Sequence, residues 1–184
     1  TGPGSSRSGI HYWKCDRAAP FFGTTRREGE RADAGLMAAL LDALPADLTG
    51  SGARLEPAGG QGNHLTFILR GSRGRHFVRV DDGPERDDYM EVESVLLGRL
   101  RAAGVPVPAV LACDATRRYV PFAWHVLELV DAPDLNTHLK AGTLDAPAVF
   151  AAIGAWIGRW QGRVPVSGHG AFDLATLRAD GALR

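Results

Sequence analysis

The sequence predicts an α+β fold in which a small antiparallel sheet is packed by a helix and followed by a further helical part. Three observations carry this. Between Arg54 and Asp81, short stretches rich in β-branched and aromatic residues are separated by glycine-rich turns. On both sides of that region, apolar residues recur at helical spacing. One apolar run, Phe122–Val130, then stands alone with strand composition ahead of an amphipathic helix.

Taken in order, residues 1–9 are rich in glycine and serine, lack an apolar stretch, and read as a flexible leader. In Ile10–Arg27, the residues His11, Tyr12, Trp13, Phe21 and Phe22 stand among basic residues without a period. That segment is either an arm packed on the body or a partner-binding stretch. From Ala34 a helix is expected, because Leu36, Leu40 and Leu44, with Met37 and Leu41 beside them, share a face and Pro45 stops the run. Strands are expected at Arg54–Ala58, His64–Arg70 and His76–Asp81, with Gly71–Gly74 as a hairpin turn. A second helix covers about Glu85–Ala103 and ends at Gly104, before Val-Pro-Val-Pro. A third begins near Pro147, a residue favoured in the first turn, and lines up Val149, Phe150, Ile153, Trp156, Ile157 and Trp160. The tail reads as loop with a short helical turn. The organisation expected is a leader and arm over 1–32, a lobe over 33–130, and a helical part over 131–184.

Bulk properties narrow the function. Lys+Arg and Asp+Glu are both 21 in a chain of 184 residues, so no global positive field favours nucleic acid. Cys15 and Cys113 make no metal-ligand spacing and no disulfide framework, which points to a reducing cytoplasm. No apolar run approaches the ~20 residues of a membrane helix. Neither a nucleic-acid nor a membrane partner is expected.

The chemistry concentrates around the glycines. Gly59, Gly60 and Gly62 permit positive φ and close backbone approach, so a strand–loop–strand here can lay N–H groups over phosphates. It is not a Walker A loop, since no Gly-Lys-Ser/Thr follows. A purely structural hairpin is the alternative. In His76–Asp81 the alternation puts Val78 and Val80 on one face and Phe77 and Arg79 on the other, so Arg79 is either a phosphate-reaching cation or a surface arginine. On the second helix Glu93 falls within the arc of Met90, Leu96, Leu97 and Leu100. A carboxylate there needs a cation, and Arg79 is the expected partner, an accidental placement near the helix end being the alternative. Asp81, Asp82, Asp87 and Asp88 read as a cluster that caps and solvates the start of that helix. His125 reads as a core residue. No catalytic residue and no metal-ligand set is assigned.

These residues resemble the N-terminal lobe and the first helical part of the C-terminal lobe of the aminoglycoside phosphotransferase-like kinases, whose fold is protein-kinase-like. The resemblance is carried by GGQGNHLTFIL, HFVRV, EVESVLLGRLRAAGVPVPAVLACD, FAWHVLELVDAPDL and AAIGAWIGRWQGRVPVSGHGAFD, in that order over about residues 54–173. It implies that Gly59, Gly60, Gly62 and Asn63 form the phosphate loop. It implies that Arg79 contacts the α/β-phosphates with Glu93 as its orienter. Leu127 would lie behind the adenine, and the Glu128 carbonyl and Val130 N–H would bond its edge; as bare structure, Glu128 and Val130 read as part of a core strand.

Two departures qualify the resemblance. The helix ends in IGRWQG, with Trp160 where relatives carry histidine. No His-Gly-Asp-type catalytic loop and no later metal motif follow GHGAFD, and Asp173 belongs to the loop before that position. The implied activity is transfer of the γ-phosphate of ATP or GTP, with Mg²⁺, to a hydroxyl of an aminoglycoside-like small molecule. The catalytic carboxylate and metal ligands would then lie in a missing C-terminal lobe or a partner chain. Alternatives are a kinase-like subunit acting on Ser/Thr of a biosynthetic precursor peptide, and a non-catalytic scaffold module.

Overall fold

The computed structural model describes residues 34–58, 64–81, 88–163 and 174–179. It has α+β character and separates into two compact units, Thr1–Met90 with Ala112–Val126, and Glu91–Leu111 with Leu127–Arg184. The Gly59–Asn63 loop, Asp82, Asp87, Asp173 and the Ile10–Arg27 arm lie outside the described residues.

The first unit opens with helix α1 (Ala34–Ala43) and the single turn α2 (Ala46–Thr49), with Pro45 between them. A five-stranded sheet follows, made of β1 (Arg54–Pro57), β2 (Leu65–Gly71), β3 (Gly74–Asp81), β4 (Val110–Asp114) and β5 (Ala123–Glu128) in the spatial order β1-β2-β3-β5-β4, Val110, Leu111, Leu127 and Glu128 belonging to the second unit. β1, β2 and β3 form an antiparallel meander whose second turn closes on Gly71↔Gly74, as the glycine spacing predicts. The pleat sorts the side chains. Leu55, Phe67, Leu69, Val78 and Val80 join Trp124 and Val126 of β5 in one buried cluster, and Leu36, Leu40 and Leu44 pack into it. Each such aliphatic or aromatic burial contributes about 1.5–3 kcal/mol, so the spacing of these three leucines largely explains why α1 forms. The register Thr66↔Arg79 and Ile68↔Phe77 places these residues on the opposite face.

The β2–β3 turn docks closely on the α2–β1 connection. Ser51 N–H donates to Ser72 Oγ at 3.0 Å, and Ser72 N–H donates to Ser51 O at 3.2 Å. Gly71 passes so near Thr49 that a Cβ there would lie 1.9 Å from the Thr49 carbonyl oxygen.

In the second unit, helix α3 (Tyr89–Ala102, its first two residues belonging to the first unit) buries Val92 against Leu177 of α6 (Leu174–Ala179), with Val95, Leu96 and Leu174 around them. Gly104, at φ 79°, ends α3: the Val105 N–H donates back to Leu100 O at 2.9 Å, a left-handed termination. Helix α4 (Leu135–Lys140) is capped by Asp134, which accepts from Thr137 N–H at 2.6 Å. Helix α5 (Ala146–Gln161) is capped by Asp145 in the same way, with Pro147 in its first turn.

The structure differs from the expected layout in several places. α2, β4 and α4 are additional elements. The strand expected over Phe122–Val130 is confined to β5, and Glu128 and Val130 are exposed rather than core. The apolar stripe of α5 forms, but Phe150, Ile153, Trp156 and Ile157 are all exposed. Asp81, expected in the solvated cluster at the start of α3, is instead buried at the end of β3 in an ion pair described below.

Candidate functional site

The face of the sheet turned away from the α1 leucines carries Arg54, Glu56, Thr66, Arg70 and Arg79. At its β1 end, Arg70 of β2 and Arg54 hold Glu56, and the bond from Arg70, with Arg54 adding to it, lowers the Glu56 carboxyl below its ordinary value. Toward the far end of β3 stands Arg79, directly across the ladder from Thr66. Arg79 is half-buried. Its place follows from the sequence alternation alone: with Val78 and Val80 drawn into the core, the residue between them must point the other way.

Two residues beyond it, Asp81 forms the centre of a buried polar group. Arg117, from the β4–β5 connection, donates from Nη2 to Asp81 Oδ2 at 3.1 Å. His64, just ahead of β2, brings Nδ1 to 3.8 Å from Asp81 Oδ1. His125 of β5 is fully buried, in agreement with its reading as a core residue. Burial, with the positive charges of Arg79 and His64 adding to it, pushes the His125 imidazole down to about 3, so it is neutral at physiological pH. Chemically, the face combines a strand guanidinium with an imidazole, and one carboxylate already committed to Arg117.

The remaining expected site residues fall elsewhere. Gly59, Gly60, Gly62 and Asn63 are outside the described residues, between Ala58 and His64. Ala58 and Thr66 clamp the base of that segment, through Ala58 N–H to Thr66 O at 2.9 Å and Thr66 Oγ1 to Ala58 O at 3.0 Å. Arg79 belongs to the first unit and Glu93 to the second, and neither is without a partner. Leu127 is buried. Glu128 is tied down at both ends of the residue. Its N–H donates to Ala109 O at 2.8 Å, while its Oε2 accepts from Ala109 N–H and from Arg101 Nη1, both at 3.0 Å. Arg101 Nη1 also donates to Val107 O at 2.9 Å, so the Val-Pro-Val-Pro stretch and Glu128 share one bonding set.

Sequence reasoning missed His64, Arg117, Arg101 and the partnership of Asp81. Only His64 carried a local signal, its place beside the glycines; the others depend on connections that fold back over distances no periodicity reports. Among the described residues no group of three His, Cys, Asp or Glu could hold a metal ion, and no helix is long and apolar enough to cross a membrane.

No protein-family model matches the chain, and no curated protein matches it. Among solved structures, the chain is similar to the crystal structure of a putative aminoglycoside phosphotransferase from Ralstonia eutropha, with 21% identity and a TM-score of 0.41. The match covers 56% of this chain and 29% of that one, so this chain spans less than a third of that structure. A likeness at that level carries neither fold nor function, and the residues themselves must supply the reasons.

Proposed function

We propose that this chain carries the nucleotide-binding part of a kinase-like phosphotransferase, which transfers the γ-phosphate of ATP or GTP to a hydroxyl group of a small molecule. The observation that carries the reading is the position of Arg79. A guanidinium stands on the sheet face opposite the hydrophobic core, in the strand that pairs with the one leaving the glycine-rich segment. Phosphate oxygens are bound best by planar, forked donors and by closely spaced backbone N–H groups.

In this reading Gly59, Gly60, Gly62 and Asn63 bring backbone to the phosphates, Arg79 holds the α/β-phosphates and Glu93 orients Arg79. Leu127 lies behind the base, and the Glu128 carbonyl and Val130 N–H meet its edge. The fixed Glu128 supports that last role: a residue bonded through both its N–H and its carboxylate sets the direction of its carbonyl before any ligand arrives. Mg²⁺ would accompany the nucleotide and supply charge neutralisation at the phosphates, with its ligands and the proton-accepting carboxylate coming from a further lobe or a partner chain. The acceptor proposed is an aminoglycoside-like natural product, and the setting a cytoplasm.

The test is calorimetry of the chain with Mg-ATP and Mg-GTP. Binding near one to one, weakened in both Arg79→Ala and Glu93→Ala, is the expected result. A well-folded chain that takes up neither nucleotide would remove the reading and leave the scaffold alternative.

A further inference from the structure

The Asp81–Arg117 pair is built in a way that stability alone does not favour. Its side chains are 9% and 7% exposed, and removing both charges from water offsets most of what their attraction returns. Arg117 also holds its backbone at φ 55°, among the described residues the only non-glycine with positive φ. Left-handed backbone at a side-chain-bearing residue persists where the surroundings over-determine it, and such positions cluster at binding sites.

What the pair does is hold a carboxylate still. Arg117 occupies Asp81 Oδ2, and Oδ1 remains toward His64 Nδ1 at 3.8 Å. That separation is too long for a hydrogen bond but is an ion-pair distance once the imidazole is protonated. The register Leu65↔Val80 and Thr66↔Arg79, continued by one residue, sets His64 opposite Asp81 and on the same face as Arg79. His64 is 22% exposed where Asp81 and Arg117 are buried, so in this group it is the one that a solute reaches. Among the described residues, the charged groups near it include Asp81 and Arg79 on β3 and Arg117 on the β4–β5 connection, while the neutral imidazole of His125 on β5 senses the charge of both His64 and Arg79.

We propose that His64, positioned by Asp81 and Arg117, is a proton-dependent ligand for phosphate, adding a second cation to Arg79 on this face when the imidazole is charged. The proposal rests on the nucleotide-binding reading above and extends it. Its ligand class is a chain of phosphates, carried by a nucleotide or free in solution. Protonated imidazole donates to phosphate oxygen and neutral imidazole does so far more weakly, so affinity follows the charge of the ring.

The experiment titrates the full chain and His64→Gln with ATP, tripolyphosphate and adenosine at pH 6 and pH 8. Wild type is expected to bind ATP and tripolyphosphate about fivefold more tightly at pH 6 than His64→Gln does, the gain of one charge-assisted contact. At pH 8 that difference closes. Adenosine, which lacks phosphate, binds both proteins equally. Comparing the two proteins at each pH cancels protonation of the ligand itself. Should His64→Gln keep the wild-type ratio for both phosphate ligands, the His64 proposal falls while the nucleotide reading stands. If tripolyphosphate binds with the expected pH profile but ATP and adenosine do not, the nucleotide reading falls and the phosphate role of His64 remains. Resonances of the His64 ring unmoved by saturating tripolyphosphate at pH 6 would also overturn the proposal.

Discussion

Arg117 and Asp81 are joined by a 3.1 Å hydrogen bond between charged groups that are both more than nine-tenths buried. The bond ties the β4–β5 connection to the last residue of β3, and in the sheet order β3 and β5 are neighbours. A contact 36 residues apart in sequence thus closes the end of the sheet that carries Arg79 and His64.

Breaking that pair from one side should be costly. Arg117→Met leaves the Asp81 carboxylate buried without its guanidinium, and such half-removed pairs lose about 3–5 kcal/mol. The double replacement Asp81→Leu with Arg117→Met removes both charges and should recover most of the loss. Urea unfolding of the two singles and the double checks this as a cycle. Singles costing under about 1 kcal/mol would mean that the pair is screened as an exposed one is.

His125 gives the fold an acid sensitivity whose sign can be worked out. Its imidazole is held down to about 3 in the folded chain, first by burial and then by the charges of Arg79 and His64, against an ordinary value of about 6.5. Above pH 6.5 neither state is charged at this group and its contribution is constant. As pH falls from about 6.5 toward 3, the unfolded chain takes up a proton that the folded chain does not, so stability declines, by at most about 1.4 kcal/mol per pH unit. His125→Phe should flatten the decline between pH 7 and pH 5, where most carboxylates are still ionised. Parallel slopes for wild type and variant in urea titrations at those two pH values would refute the assignment.

The elements legible in the sequence were those set by one-dimensional periodicity. Leu36, Leu40 and Leu44 specified α1, and the alternation of Val78, Arg79 and Val80 specified which way Arg79 faces. β4 was hidden because it is only five residues long and its apolar run over 110–113 does not alternate with polar residues, although exposure alternates along the strand and none of its residues is fully buried. α4 is six residues long and is held by the Asp134 cap rather than by an apolar face, since none of its residues is buried. Asp81 was misread because an acid ahead of a helix is usually solvated there. Its partner Arg117 lies far along the chain, and no local rule points to it. The α5 stripe was read correctly as a pattern; periodicity reports a shared face without reporting what covers it.

The docking of the β2–β3 turn predicts two very different glycine substitutions. At Gly71 a Cβ would meet the Thr49 carbonyl oxygen at 1.9 Å, and backbone must move to admit it. At Gly52 the space is open, and the only obstacle is the left-handed backbone at φ 65°. Gly52→Ala should therefore cost about 1–2 kcal/mol. Gly71→Ala should cost clearly more and should also expose the Ser51 and Ser72 amides to faster hydrogen exchange. Equal losses in thermal melting would show that the turn relaxes without strain.

The bonding set around Glu128 separates stability from binding. Arg101 and Glu128 are each about half exposed, at 52% and 48% of their side chains, so the ion pair itself should be worth less than about 1 kcal/mol to the fold. Its geometry matters more. Arg101 Nη1 bridges Val107 O and Glu128 Oε2, and the same carboxylate oxygen takes the Ala109 N–H, so the guanidinium adds to the hold that the Glu128 N–H bond to Ala109 O has on this residue. If the Glu128 carbonyl meets the edge of a bound base, loosening it forfeits preorganisation rather than a contact. Arg101→Met should then leave the urea midpoint nearly unchanged while weakening Mg-ATP by roughly three- to tenfold, and should leave tripolyphosphate, which has no base, unaffected. An equal loss for both ligands would place the effect on the phosphates. Unchanged affinity for ATP would mean that Glu128 does not touch the base at all.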